Sequence, residues 1–248
     1  MKSRRSRPRT PEVPPDVEHI DTTLADYAVR IRKQTDGLMM FDDVVLALAV
    51  AREKQRQIKE LRAAAHARCK ALAERGAAGA GPYRFVTTVR TTTKTAVPSE
   101  KLKAAHPKLW AAARVRVPYV AVKPPKDVDL PVTLPRLPVC GRLAPPEQAA
   151  AIYLDPAYKN SLALVKEDIE DAKAVLNEIA DRIEWDGHAL HFADGWRVTT
   201  STLRYESDML AVIAPDVFDA LAEKRTTESE TLRIVLGEFD PEGDIEAD

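Results

Sequence analysis

The sequence predicts an α+β protein built from two helix–strand–helix–strand units, an internal duplication, and three observations predict it. Long helical periodicities stand at residues 42–75 and 155–185, a glycine-aromatic-arginine strand signal follows each, and charge divides between the halves. Residues 1–145 hold 28 Lys/Arg against 14 Asp/Glu, a net of +14, whereas residues 146–248 hold 9 against 24, a net of −15. The chain as a whole reads −1 only because these cancel. Halves of opposite sign can steer partners or attract each other.

Residues 1–18 place Lys2, Arg4, Arg5, Arg7 and Arg9 ahead of Pro11, Pro14 and Pro15. That mixture buries no apolar surface, so it reads as a disordered basic arm, either solvated or laid along DNA phosphates. The basic unit then spans 19–122. Asp21, Thr22 and Thr23 offer an N-cap to a short helix with Leu24, Tyr27, Ala28 and Ile31 on one face, ended by Gly37. The long helix 42–75 opens at Asp42 with an apolar run (Val44, Val45, Leu46, Leu48, Val50). It continues with a narrow stripe of Ile58, Leu61, Ala65 and Leu72 among charges. Its start should be buried, and the rest should project or pair. Beyond Gly81, residues 83–95 read as a threonine-rich strand, Pro98 starts a helix to Ala113, and Val115–Val122 reads as a closing strand.

Seven prolines in 123–146 (Pro124, Pro125, Pro131, Pro135, Pro138, Pro145, Pro146) make that stretch an extended connector. The acidic unit, 147–239, opens its long helix at the Asp155-Pro156 cap. Tyr158, Leu162, Val165, Ile169, Ala172, Leu176, Ile179 and Ile183 alternate by four and three, a heptad seam that needs a partner helix. Residues 42–75 are the nearest candidate, giving an antiparallel coiled-coil-like hairpin, with self-association or a foreign coiled coil as the alternatives. A strand from Trp196, a helix from Pro215 to Lys224, a strand 232–239 and an acidic tail 240–248 complete the unit. Tyr83 and Trp196 stand 113 residues apart and Pro98 and Pro215 stand 117 apart, which matches the two units in order.

Chemistry-bearing patterns are sparse, and the chain is read as no enzyme. Cys69 and Cys140 share no metal or disulfide spacing. His188 and His191 fall in a predicted hairpin, where positions three apart face opposite ways, so they make a poor metal pair. Gly76, Gly79 and Gly81 lead from helix to strand, the reverse of a phosphate-binding loop, and no nucleophile elbow is present. No catalytic residue, cofactor, metal or small-molecule substrate is therefore expected. Without an apolar run of transmembrane length or a secretory signal, the chain is expected in the cytoplasm, away from membranes. The binding candidates are Arg84, Arg90 and Lys94, which share an even register on one strand face, together with Lys101, Lys103, Arg114 and Arg116. Either a polyanion or an acidic protein surface would suit them.

A charged helix (Arg52 to Glu74), a threonine-rich strand (Thr87 to Thr95) and the run Leu102-Lys103-Ala104-Ala105-His106-Pro107 follow one another here. In this order, over residues 51–122, the chain resembles small early-region proteins of bacteriophages encoded near recombination genes. In size and lack of catalytic residues it is similar to the directionality factors of serine integrases. The resemblance implies a non-catalytic accessory protein of DNA recombination, in a bacterial host's cytoplasm. Such a protein would bind a site-specific recombinase, control its direction or site choice, and meet nucleic acid only indirectly. A binder of this kind must favour one recombinase conformation to shift anything. Two other readings stay open: direct nucleic-acid binding through the basic unit, or inhibition of a DNA-binding enzyme by the acidic one acting as a DNA mimic.

Overall fold

The computed structural model describes residues 17–237, so the acidic tail and all but the last two residues of the basic arm lie outside the described residues. The chain is mixed α and β, with two sheets. Strand β1 (Val17–Ile20) leads to α1 (Leu24–Ile31), whose N-cap Thr23 accepts a hydrogen bond from the Asp26 amide at 3.2 Å. The long helix α2 is Phe41–Ala73. After it come β2 (Gly79–Ala80), β3 (Tyr83–Ala96), α3 (Ser99–Ala105), α4 (Pro107–Ala112) and β4 (Arg114–Lys123). The second half contributes α5 (Pro146–Leu154), α6 (Pro156–Arg182), β5 (Ala189–Phe192), β6 (Arg197–Tyr205), α7 (Ser207–Ile213), α8 (Pro215–Leu221) and β7 (Glu223–Leu236). Asp155 caps α6 by accepting from the Ala157 amide at 2.8 Å. Among the described residues no helix is long and apolar enough to cross a membrane.

Several expectations need correction. The single helix read at 98–113 is two, because Pro107 brings no N–H and its ring forbids a helical His106, which sits at φ −138°, ψ 69°. Ala214 makes the same break before Pro215, at φ −151°, ψ 70°, and the α7 ahead of it went unread. Pro145 and Pro146 close no linker; Pro146 occupies the first turn of α5, where its missing donor costs nothing. The last strand starts at Glu223, not 232.

Packing separates two compact units that do not follow the sequential division at 123–146. The first takes residues through Leu46, Arg116–Val128 and Lys173–Thr202, and the second takes Ala47–Val115, Asp129–Ala172 and Leu203 onward. In the first unit the sheet order is β1-β5-β6-β4, with β1 parallel to β5 and β5 antiparallel to β6. Pro118 is tolerated because β4 ends the sheet. Its core is aromatic: Tyr27 lies 5.6 Å from Phe41 and 5.3 Å from Phe192, ring centre to ring centre, and Trp185 meets Phe41 edge-on. Gly187, at φ +85°, receives the Thr200 and Ser201 amides on its carbonyl, and a Cβ there would stand 2.4 Å from Thr200 Oγ1.

The second unit holds the sheet β2-β3-β7, in which β3 and β7 pair antiparallel from Tyr83↔Leu236 to Ala96↔Glu223. Beside one end of this pair Cys69, Ala149, Ala150 and Ile234 form a core joined by Tyr83, Phe85 and Tyr153. Beyond its other end Val97, Leu102, Ala113 and Leu210 form a second core, covered by Trp110, Tyr205 and Phe218. The seam residues of α6 are buried at Tyr158, Val165, Ile169, Ala172, Leu176 and Ile179, and half-buried at Leu162 and Ile183.

Candidate nucleic-acid interface

Between its two cores the β3–β7 pair stands as a two-stranded ribbon, exposed on both faces from Thr87 to Thr95 and from Lys224 to Thr231. Because residues directly opposite in an antiparallel pair share a face, the register sorts the side chains. One face carries the rows Arg84/Val235, Val86/Arg233, Thr88/Thr231, Arg90/Ser229, Thr92/Thr227, Lys94/Arg225 and Ala96/Glu223. The other carries Tyr83/Leu236, Phe85/Ile234, Thr87/Leu232, Val89/Glu230, Thr91/Glu228, Thr93/Thr226 and Thr95/Lys224. The first face thus gathers Arg84, Arg90, Lys94, Arg225 and Arg233, with one acid at its end, and that acid, Glu223, is held by Lys101 at 2.8 Å. Both carboxylates of the exposed middle, Glu228 and Glu230, belong to the second face. Lys94 sits directly across from Arg225. Like charges in that position destabilise a ribbon that has no counter-charge between them.

The remaining sequence candidates have other duties. Lys101 is the partner of Glu223. Lys103 and Arg114 lie over the Trp110 ring, each 4.9 Å from its centre, while the indole N–H donates to Ser99 Oγ at 2.9 Å. Arg116 belongs to the first compact unit, where it meets Asp186 at 3.2 Å and donates to Ser201 Oγ. It is no part of the ribbon face. Arg225 and Arg233 were missed, although they share one period-2 register with Thr227, Ser229 and Thr231. The half's acidic total concealed them.

Two further features stand apart from these cations. A cleft of about 330 Å³ beside the ribbon is lined by His66, Lys70, Ala73, Glu74, Thr87, Glu230, Thr231 and Leu232, and His66 Nε2 lies 3.1 Å from the Leu232 carbonyl. In the first unit His188 bonds Asp186 through Nδ1 and Glu18 through Nε2, the latter at 2.7 Å. Burial pushes its pKa down, but the bonds to Asp186 and Glu18 outweigh burial and raise it above the usual histidine value. A raised folded-state pKa gives stability that is complete below the unfolded value near 6.5 and lost as pH rises through the folded value. The melting temperature should therefore fall above about pH 6.5 more steeply than in a His188→Gln variant. Parallel melting curves for the two proteins between pH 5.5 and 8 would refute this. Among the described residues no group of three or more His, Cys, Asp or Glu is placed to hold a metal.

No family model matches the chain, and no curated protein or solved structure matches it either.

Proposed function

We propose that this chain is a non-catalytic accessory protein of DNA recombination that grips nucleic acid directly through the basic face of the β3–β7 ribbon. One observation carries the reading: five cations from two distant segments fall on one face, while Glu228 and Glu230 fall on the other. The sequence put a recombinase or integrase partner first on the resemblance at residues 51–122, and a half of net −15 argues further against a polyanion ligand. That half supplies β7, however, and β7 adds Arg225 and Arg233 to the basic face. Its overall charge therefore does not describe the surface it helps to build. The assignment to recombination rests on the resemblance at residues 51–122, and it leaves a recombinase as a companion on the DNA.

Duplication of the ribbon and its short helices is part of the same proposal. Thr91-Thr92-Thr93, Ser99, Leu102, Pro107 and Trp110 stand 108 residues ahead of Thr199-Thr200-Ser201, Ser207, Leu210, Pro215 and Phe218. This spacing replaces the one drawn from Pro98. Since β3 pairs with β7 and β6 adjoins β4, the first strand of each copy lies against the last strand of the other, as in an exchanged dimer fused into one chain. The buried seam of α6 is assigned to antiparallel pairing with α2.

Fluorescence anisotropy with labelled DNA near 0.15 M salt tests the binding claim. Reversing Arg84, Arg90 and Lys94 to Glu should weaken binding by roughly two orders of magnitude for any sequence and flatten the salt slope by about 3. Glu228→Gln with Glu230→Gln should leave binding intact or tighter. If the parent protein shows no affinity for nucleic acid but joins a recombinase and alters its complex on DNA, the ribbon reading fails and the partner reading replaces it.

A further inference from the structure

We infer that the ribbon's ligand is the major groove of duplex DNA, an inference that rests on the nucleic-acid reading above and names its substrate. Three properties of the ribbon converge on it: what its faces lack, how wide it is, and how its charges are spaced.

Proteins that hold single strands stack the bases on aromatic rings. The exposed rows of this ribbon offer none, being threonine, serine, valine and charged residues throughout. Tyr83 and Phe85, the aromatics of β3, lie on the opposite face and pack into the core beside Cys69. Trp110, beyond the other end, is covered by Lys103 and Arg114 and tethered to Ser99. A single strand would find charge here but no platform.

Width separates the two kinds of duplex. Paired strands lie about 4.8 Å apart, and with side chains of threonine size a two-stranded ribbon fits a B-DNA major groove about 12 Å wide. The deep, narrow major groove of A-form RNA admits no such element. The hydroxyl rows Thr88/Thr231 and Thr92/Thr227, with Ser229, keep the ribbon thin and offer donors, acceptors and methyl groups to base edges.

Length and charge spacing agree with this. The exposed stretch of β3, Thr87 to Thr95, covers about 27 Å of extended chain, long enough to follow the groove past several base pairs. Arg90, Lys94 and Arg225 stand among the hydroxyl rows of one face, within reach of the phosphates that flank the groove. Pairing with β2 reaches only Tyr83 and Arg84 of β3, and β7 is the last strand of its sheet. The outer edges therefore present backbone N–H groups toward flanking phosphates. Glu228 and Glu230 face out of the groove.

The test uses the full chain with three labelled probes of equal length and matching sequence: duplex DNA, one of its strands alone, and the RNA duplex. Duplex DNA should bind at least tenfold tighter than either competitor at the same salt. Dimethyl sulfate footprinting of the bound duplex should show protection of guanine N7, in the major groove, and none of adenine N3, in the minor groove. Equal or tighter binding of the single strand or the RNA, or protection at adenine N3 alone, would overturn the groove assignment while leaving the nucleic-acid reading standing. Failure to bind any of the three probes would remove both. Where the duplex is preferred, the triple reversal of Arg84, Arg90 and Lys94 should abolish the N7 protection, and persistence of that protection would place the duplex elsewhere on the protein.

Discussion

Leu176→Asp should lower the stability of the protein by about 4 kcal/mol or more. Leu176 is fully buried in the middle of the α6 seam. The substitution forfeits roughly 2–3 kcal/mol of apolar burial and places in the same space a carboxyl group with no partner, which must be desolvated charged or protonated against its preference. Ile169→Asp should act in the same direction, because Ile169 is only 6% exposed on the same seam. Urea unfolding followed by circular dichroism measures both. A variant that unfolds at the parent's midpoint but has lost an oligomer or a partner would show that the seam is an interface rather than a core.

The second large effect belongs to the four short helices at the end of the ribbon. Leu102 of α3 and Leu210 of α7 are both fully buried in one small cluster with Val97 and Ala113. Each Leu→Ala substitution should cost about 3 kcal/mol, since a cluster this small has little to collapse into the cavity. The double variant should depart from additivity because the two side chains share their neighbours. Hydrogen exchange provides the sharper readout. Amides of residues 99–113 and 207–222 should lose protection while those of the α2 segment packed around Cys69 keep theirs, as expected of separately packed regions. Uniform loss of protection across both regions would mean that the two cores open as one.

Much of the helical framework was legible because its signals are local. The Thr23 and Asp155 caps, the apolar opening of α2 and the strict alternation in α6 each lie within a few turns of chain, and the structure places helices there. Strand β3 was legible through its threonine content. The start of β7 was not, because residues Lys224 to Thr231 are exposed on both faces, so nothing selects an alternation of apolar and polar positions. Helix α5 was hidden by prolines that look alike in a linker and in a first helical turn. At the candidate site Arg84, Arg90 and Lys94 could be assigned to one face from their even spacing alone. Arg225 and Arg233 could not join them without the pairing of two strands some 130 residues or more apart in sequence. Arg116 packs apart from Arg114 for the converse reason: nearness in the chain does not reveal its contact with Asp186, 70 residues away.

The interleaving of the two compact units bears on how the protein comes into being. Strand β1 pairs with β5, so Val17 must wait for Ala189 to be synthesised before its sheet can close. At 5–20 residues per second that is a delay of roughly 10–35 s. The ribbon of the other unit is completed only when β7 emerges, after both long helices and every proline of the connector. Neither unit can finish folding while the chain is half made, and neither corresponds to a fragment that a single cut could release. Assembly of each unit thus waits on segments far apart along the chain. Until then the early strands have edges without their native partners, the state in which a nascent chain most depends on chaperones.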